Sequence, residues 1–115
     1  MEKTSVIDAL AALAQENRLD TYRLLVQAGP DGISAGEIAA VLGLPPNTLS
    51  FHFDRLRQAG LVTVRRNGRS MIYAARYDTM NALIGFLTEN CCGGDACGPA
   101  VPCTPAIKRE KETIP

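Results

Sequence analysis

The chain has no tryptophan, a single histidine and no net charge, 12 Lys+Arg offsetting 12 Asp+Glu over 115 residues. No stretch approaches the 18 consecutive apolar residues that a membrane-spanning helix needs, so no membrane partner is expected. The opening residues Met1-Glu2-Lys3-Thr4-Ser5-Val6-Ile7-Asp8 lack the unbroken apolar run of a secretory signal, which points to the cytoplasm. Cysteine is absent from the first 90 residues, and all four cysteines follow. In a reducing compartment such cysteines read as metal ligands or reactive thiols rather than as disulfides. A balanced charge argues at first sight against nucleic acid, whose partners are usually basic. The distribution of the charges decides that point.

Residues 1–90 carry periodic apolar patterning and form the predicted domain. Residues 91–115 hold the four cysteines and four of the seven prolines, with few large apolar side chains. That composition cannot bury enough to fold alone, so a flexible C-terminal tail is expected. A helix over about 4–14 places Val6, Ile7, Leu10 and Leu13 on one stripe. A second over about 16–28 turns Leu19, Tyr22 and Val26 inward, and Gly29-Pro30-Asp31-Gly32 ends it. Ser34 and Glu37 have the spacing of a capping box for a third helix, which buries Ile38 and Val41/Leu42 and stops at Gly43. Pro45 and Pro46 suit the first turn of a fourth, where a missing N–H does no harm. There Leu49, Phe53 and Leu56 face the core. Strands over 61–66 and 70–75 flank the hairpin signal Asn67-Gly68. A closing helix over about 77–90 carries Met80, Leu83, Ile84 and Leu87.

The short third and fourth helices, joined through Gly43-Leu44-Pro45, have helix-turn-helix spacing, and the hairpin after them is a wing. Six arginines and one acid lie between Pro45 and Arg76, whereas residues 1–44 hold three basic and six acidic residues. The zero net charge therefore hides a basic end, which phosphates would meet. Asn47, Thr48, Ser50, Phe51, His52 and Arg55 lie off the apolar stripe of the fourth helix and are the candidates for reading base edges. Phe51 suits a thymine methyl, and the lone His52 is assigned to DNA because no second histidine accompanies it as a ligand. Arg65, Arg66 and Arg69 on the hairpin are candidates for backbone or minor-groove contact.

The run Leu49-Ser50-Phe51-His52-Phe53-Asp54-Arg55-Leu56-Arg57-Gln58-Ala59-Gly60-Leu61-Val62 resembles the VSxHLxxLxxAGLV signature of the ArsR/SmtB family of bacterial metal-sensing repressors. Ala11-Ala12-Leu13-Ala14-Gln15-Glu16-Asn17-Arg18-Leu19 is similar to that family's opening, ALADPTRLRIL, with Glu16-Asn17 replacing its usual pair. Glu37-Ile38-Ala39 matches its ELA element, and Arg66-Asn67-Gly68-Arg69 with Ile72-Tyr73 its wing. The resemblance covers about residues 8–90. It implies a mainly α fold with a β-hairpin wing, a winged helix-turn-helix of order α-α-α-α-β-β-α. It also implies a homodimer through the first and last helices that represses transcription from operator DNA. No enzymatic activity and no organic cofactor are expected.

Cys91, Cys92, Cys97 and Cys103 follow the spacing C-C-x4-C-x5-C, which is neither a zinc ribbon nor a redox C-x-x-C motif. Adjacent Cα atoms lie about 3.8 Å apart, closer than an unstrained disulfide allows, so the vicinal thiols stay available. Thiolates select thiophilic ions. Trivalent arsenic or antimony takes three sulfurs in a pyramid. Cys91 and Cys92 supply two corners, and Gly93 and Gly94 let the chain turn so that Cys97 supplies the third. Cys103, beyond two prolines, is set aside. The ending also resembles arsenic-responsive repressors of the family that carry C-terminal cysteines. The family's Cys-x-Cys site on the third helix is missing, because Gly36-Glu37-Ile38-Ala39-Ala40 stands there. Its zinc site on the closing helix needs histidines that this chain lacks. The competing readings are a thiol redox or sulfide sensor, a cadmium or lead sensor of the same family, incidental cysteines in a flexible tail and, more remotely, a metalloid chaperone or reductase.

Overall fold

The computed structural model describes residues 1–94. Helices α1 (Lys3–Leu13), α2 (Glu16–Ala28), α3 (Ala35–Leu42), α4 (Pro46–Gln58) and α5 (Tyr77–Thr88) and strands β1 (Ile33–Ser34), β2 (Val62–Asn67) and β3 (Ser70–Ala75) follow in the order α1-α2-β1-α3-α4-β2-β3-α5. The chain divides into two units, Met1–Leu83 and the part that begins at Ile84. The division falls inside α5. The domain end expected after Asn90 lies within the second unit, and most of the expected tail lies outside the described residues.

Local signals explain most helix ends. The Gln15 side chain caps α2 by accepting from the Arg18 backbone N–H at 2.8 Å. Ser34 and Glu37 close the capping box of α3, and Gly43 ends that helix in the left-handed conformation. Pro46 starts α4 after Pro45, where no N–H is missed. The hairpin pairs Val62 with Ala75 through to Asn67 with Ser70. Its two-residue turn is therefore Gly68-Arg69, one residue later than Asn67-Gly68. Gly68, at φ 64°, takes the first central position, as such a turn requires.

A two-residue strand, β1, completes a three-stranded antiparallel sheet of order β1-β3-β2. It pairs Ile33 with Tyr73 and Ser34 with Ile72, and no sequence pattern foretold it. Gly32 precedes it at φ 77°, and a Cβ there would run into the Tyr73 carbonyl oxygen.

The core of the first unit joins Val6, Tyr22, Leu25, Ile38, Leu49, Phe53, Leu56, Leu61 and Leu83. The buried face of α1 is Val6, Ala9 and Ala12, so only Val6 of the expected stripe is buried; Ile7 is 57% exposed and Leu10 is also exposed. Alanines at this contact let α1 pack closely, and its larger side chains are left outside. In α2 the buried face is Arg18, Thr21, Tyr22 and Leu25, and the expected Leu19 and Val26 are exposed. Ile38 is buried as expected, but Val41 is exposed. In α5 Leu83 is buried, and Ile84 and Leu87 are exposed.

Gly32→Ala is expected to destabilise the first unit by about 2 kcal/mol or more, because left-handed backbone strain and a steric clash add. A fall in the urea midpoint at unchanged slope checks this.

Candidate nucleic-acid interface

Helix α4 has two faces. Leu49, His52, Phe53 and Leu56 are buried at the i, i+3, i+4, i+7 positions of one stripe. Asn47, Ser50, Phe51 and Arg55 are exposed on the remainder, and Thr48 is half-buried. The first turn carries Asn47, whose side-chain oxygen accepts from the Thr48 backbone N–H at 3.0 Å. Arg55 reaches back along the helix until its guanidinium carbon lies 5.9 Å from the centre of the Phe51 ring. Asp54 and Arg57 approach to 3.6 Å on the same exposed surface.

His52 departs from its expected place. It is 6% exposed, and its Nδ1 is buried without a hydrogen-bond partner. The side chain belongs to the inner stripe, so it is not presented to a groove with its neighbours. The cause is positional, since residue 52 is i+3 from Leu49 and i−4 from Leu56. Arg18 of α2 is its charged neighbour. Arg18 is itself only 9% exposed and donates from Nε to the Ala12 carbonyl oxygen at 2.6 Å. No carboxylate within ion-pair distance offsets this guanidinium among the described residues. Burial first, and Arg18 second, hold the His52 imidazole below its ordinary pKa of 6.5. The 18, 21, 22, 25 stripe of α2 and the 49, 52, 53, 56 stripe of α4 are the signals that would have found this buried polar pair.

The wing arginines divide. Arg66 and Arg69 are exposed, and their side chains make no hydrogen bond to the described residues. Arg65 is exposed too, but donates to the Asp31 carbonyl oxygen at 2.7 Å. It thereby ties the wing to the loop that follows α2. A guanidinium has five N–H donors, so that bond leaves others available. Behind the wing, the Tyr73 ring on β3 stacks on Phe53 of α4, centroids 3.6 Å apart and planes 10° apart.

Cys91 and Cys92 belong to the second unit. They lie in a 3₁₀ turn, Cys91–Gly94, that follows α5. Asn90 (φ 59°), Cys92 (φ 55°) and Gly93 (φ 70°) are all left-handed, so the backbone curls tightly here. Cys91 is half-buried and Cys92 exposed. Cys97 and Cys103 lie outside the described residues. Among the described residues no three His, Cys, Asp or Glu side chains gather to hold a metal ion, and no helix is long and apolar enough to cross a membrane.

A helix-turn-helix carried on a three-stranded winged sheet defines a DNA-binding winged-helix regulator. Residues 13–65 match a family model described as a helix-turn-helix domain. The chain is 36% identical over 77 residues to the uncharacterised HTH-type transcriptional regulator YceK of Bacillus subtilis, covering 66% of this chain and 76% of that protein. It superposes on an ArsR-like transcriptional regulator from Rhodococcus sp. RHA1 with a TM-score of 0.67 at 26% identity, over 75% of this chain and 78% of that one. It is also similar to the homodimeric winged helix-turn-helix DNA-binding domain Mb0332 of Mycobacterium bovis, a possible ArsR-family regulator. There the TM-score is 0.62 at 29% identity, over 76% of this chain and 81% of that one. The chain belongs to the ArsR family of winged helix-turn-helix transcriptional regulators.

The pH dependence of stability follows from His52. Its folded pKa lies below the unfolded value, so the unfolded chain takes up the proton first as pH falls below about 6.5. Stability is full above that value and declines as the pH drops through the window beneath it. Urea midpoints at about pH 7.5 and 5.5 should differ less in His52→Leu than in the parent.

Proposed function

We propose that this chain is a cytoplasmic homodimeric repressor that binds operator DNA and leaves it when trivalent arsenic or antimony joins Cys91, Cys92 and Cys97. The DNA half rests on the polarised charge. The basic residues of α4 and the wing are exposed, and only one acid, Asp54, lies between Pro45 and Arg76, against six in residues 1–44. Asn47, Thr48, Ser50, Phe51 and Arg55 contact base edges. Arg65, Arg66 and Arg69 contact phosphates or a minor groove, and His52 supports α4 from inside. The exposed Ile7 and Leu10 of α1, and Ile84 and Leu87 of α5, suit a dimer through the first and last helices, and a relative is described as homodimeric.

The observation that carries the metalloid half is the vicinal thiol pair just after α5, on a tight left-handed turn. Arsenous acid is neutral. Three thiols displace its three hydroxyls, forming three As–S bonds and releasing three waters. No oxidant is consumed, and no charge is left on the sulfurs. The ligand acts as an inducer, so its coupling to DNA is negative and reciprocal, in the range of about 5–150-fold.

Removing one phosphate contact, by Arg66→Ala or Arg69→Ala, should lower the slope of log affinity against log salt by about 1 without changing sequence preference. Arg65→Ala should do the same and also loosen the loop at Asp31.

Operator release followed by gel shift tests the inducer. Arsenite should release the parent and Cys103→Ser alike, whereas Cys91→Ser, Cys92→Ser and Cys97→Ser should stay bound. Release of all four variants by arsenite would sink the ligand assignment. Release by peroxide or cadmium but not by arsenite would favour the redox or soft-metal sensor instead.

A further inference from the structure

Phe51 is the anomaly on the outer face of α4. It is a large aromatic side chain, 55% exposed, among Asn47, Ser50, Asp54 and Arg55. An exposed phenyl ring on a face otherwise built for polar contacts calls for an apolar target. Arg55 follows one helical turn later. Side chains on a helix lean toward its N-terminus, which carries the Arg55 guanidinium forward over the Phe51 ring. Their separation of 5.9 Å makes the ring and the cation one combined surface. Arg55 has no carboxylate partner among the described residues, since Asp54 lies against Arg57 at 3.6 Å. The exposed Arg55 guanidinium thus keeps its donors available beside an apolar ring.

The major groove offers one apolar group, the thymine 5-methyl, and one site that accepts both prongs of an arginine fork, guanine O6 and N7. The 5.9 Å between ring and guanidinium lies within two base-pair rises of about 3.4 Å each, so both groups are within reach of one base step. Such a spacing suits two neighbouring base pairs. We infer that Phe51 and Arg55 act as a single reading unit for a thymine beside a guanine, Phe51 covering the thymine methyl and Arg55 bonding the guanine. This rests on the proposed DNA-binding role and specifies the base step in each half-site.

The test starts from duplexes selected from a random pool by the full-length chain. In the selected operator each thymine is replaced singly by deoxyuridine, which removes only the methyl group, and each guanine by 7-deazaguanine, which removes N7. At one thymine in each half-site, deoxyuridine should weaken parent binding about 4-fold, the value of one buried methyl. Phe51→Ala should bind the unmodified operator more weakly by a similar factor and show no further loss on deoxyuridine. At the adjacent guanine, 7-deazaguanine should weaken the parent but not Arg55→Ala. Deoxyuridine that is neutral at every thymine, or equally harmful in Phe51→Ala, would overturn the inference while leaving DNA binding intact. So would a change of oligomeric state in Phe51→Ala, which would make the ring a protein contact. Failure to retain any duplex at low salt would remove the DNA-binding reading itself, and this inference with it.

Discussion

The stack of Phe53 on Tyr73 is the contact on which the geometry of the first unit turns. The two rings lie nearly parallel at 3.6 Å and join α4 to β3. Such a pair contributes about 0.5–1.5 kcal/mol beyond the area it buries, yet its position matters more than its strength. Tyr73 sits in the central strand, opposite Val64 on β2 and Ile33 on β1. One aromatic pair thus couples the helix that carries Asn47, Ser50 and Phe51 to the strand that carries the wing. The inner stripe of Leu49, Phe53 and Leu56 then sets the roll of α4, and the roll decides which side chains face out. Gly32 serves the same arrangement from the far edge, because only a residue without Cβ lets β1 come up to the Tyr73 carbonyl.

Legibility in the sequence varied with the kind of signal. Alpha4 was readable because Leu49, Phe53 and Leu56 are large, apolar and evenly spaced, with polar residues between them. The capping box of Ser34 and Glu37 was readable because it is a local hydrogen-bond pattern. In α1 and α2 apolar residues lie on more than one face, and periodicity alone cannot tell which face meets the chain's own core. There the buried face went to Ala9 and Ala12, and to Arg18, Thr21 and Leu25. Large side chains such as Ile7, Leu10 and Leu19 remained outside. His52 was misplaced for a related reason: polarity suggested an outward role, whereas helical phase puts it inside. A two-residue strand such as β1 has too little pattern to be seen at all.

The buried pair of Arg18 and His52 limits what the helices can tolerate. Arg18 is nearly enclosed, without a carboxylate to offset it among the described residues, and its Nε is held by the Ala12 carbonyl of α1. A second cation beside it would be repelled and poorly solvated. The imidazole pKa is accordingly lowered, with burial as the larger cause and Arg18 as the smaller. Alpha1, α2 and α4 meet at this polar point in the core. A substitution at His52 therefore acts on the seating of α4 before it acts on any surface that α4 presents.

Charge is unevenly distributed along the chain, and this explains how a protein of zero net charge can suit a polyanion. A Debye length of about 8 Å at physiological salt screens distant charges, so the local excess on α4 and the wing counts for more than the total. Those arginines favour any duplex and lose their effect as salt rises. Sequence discrimination needs short-range contacts from α4, which salt affects much less. All four cysteines follow Thr88, the last residue of α5, in the sequence. A thiol ligand bound there would act on DNA through the protein's conformational equilibrium. It can change DNA affinity only by having different affinities for the DNA-competent and DNA-released forms, which makes the strength of induction a property of that difference and not of how tightly the ligand binds.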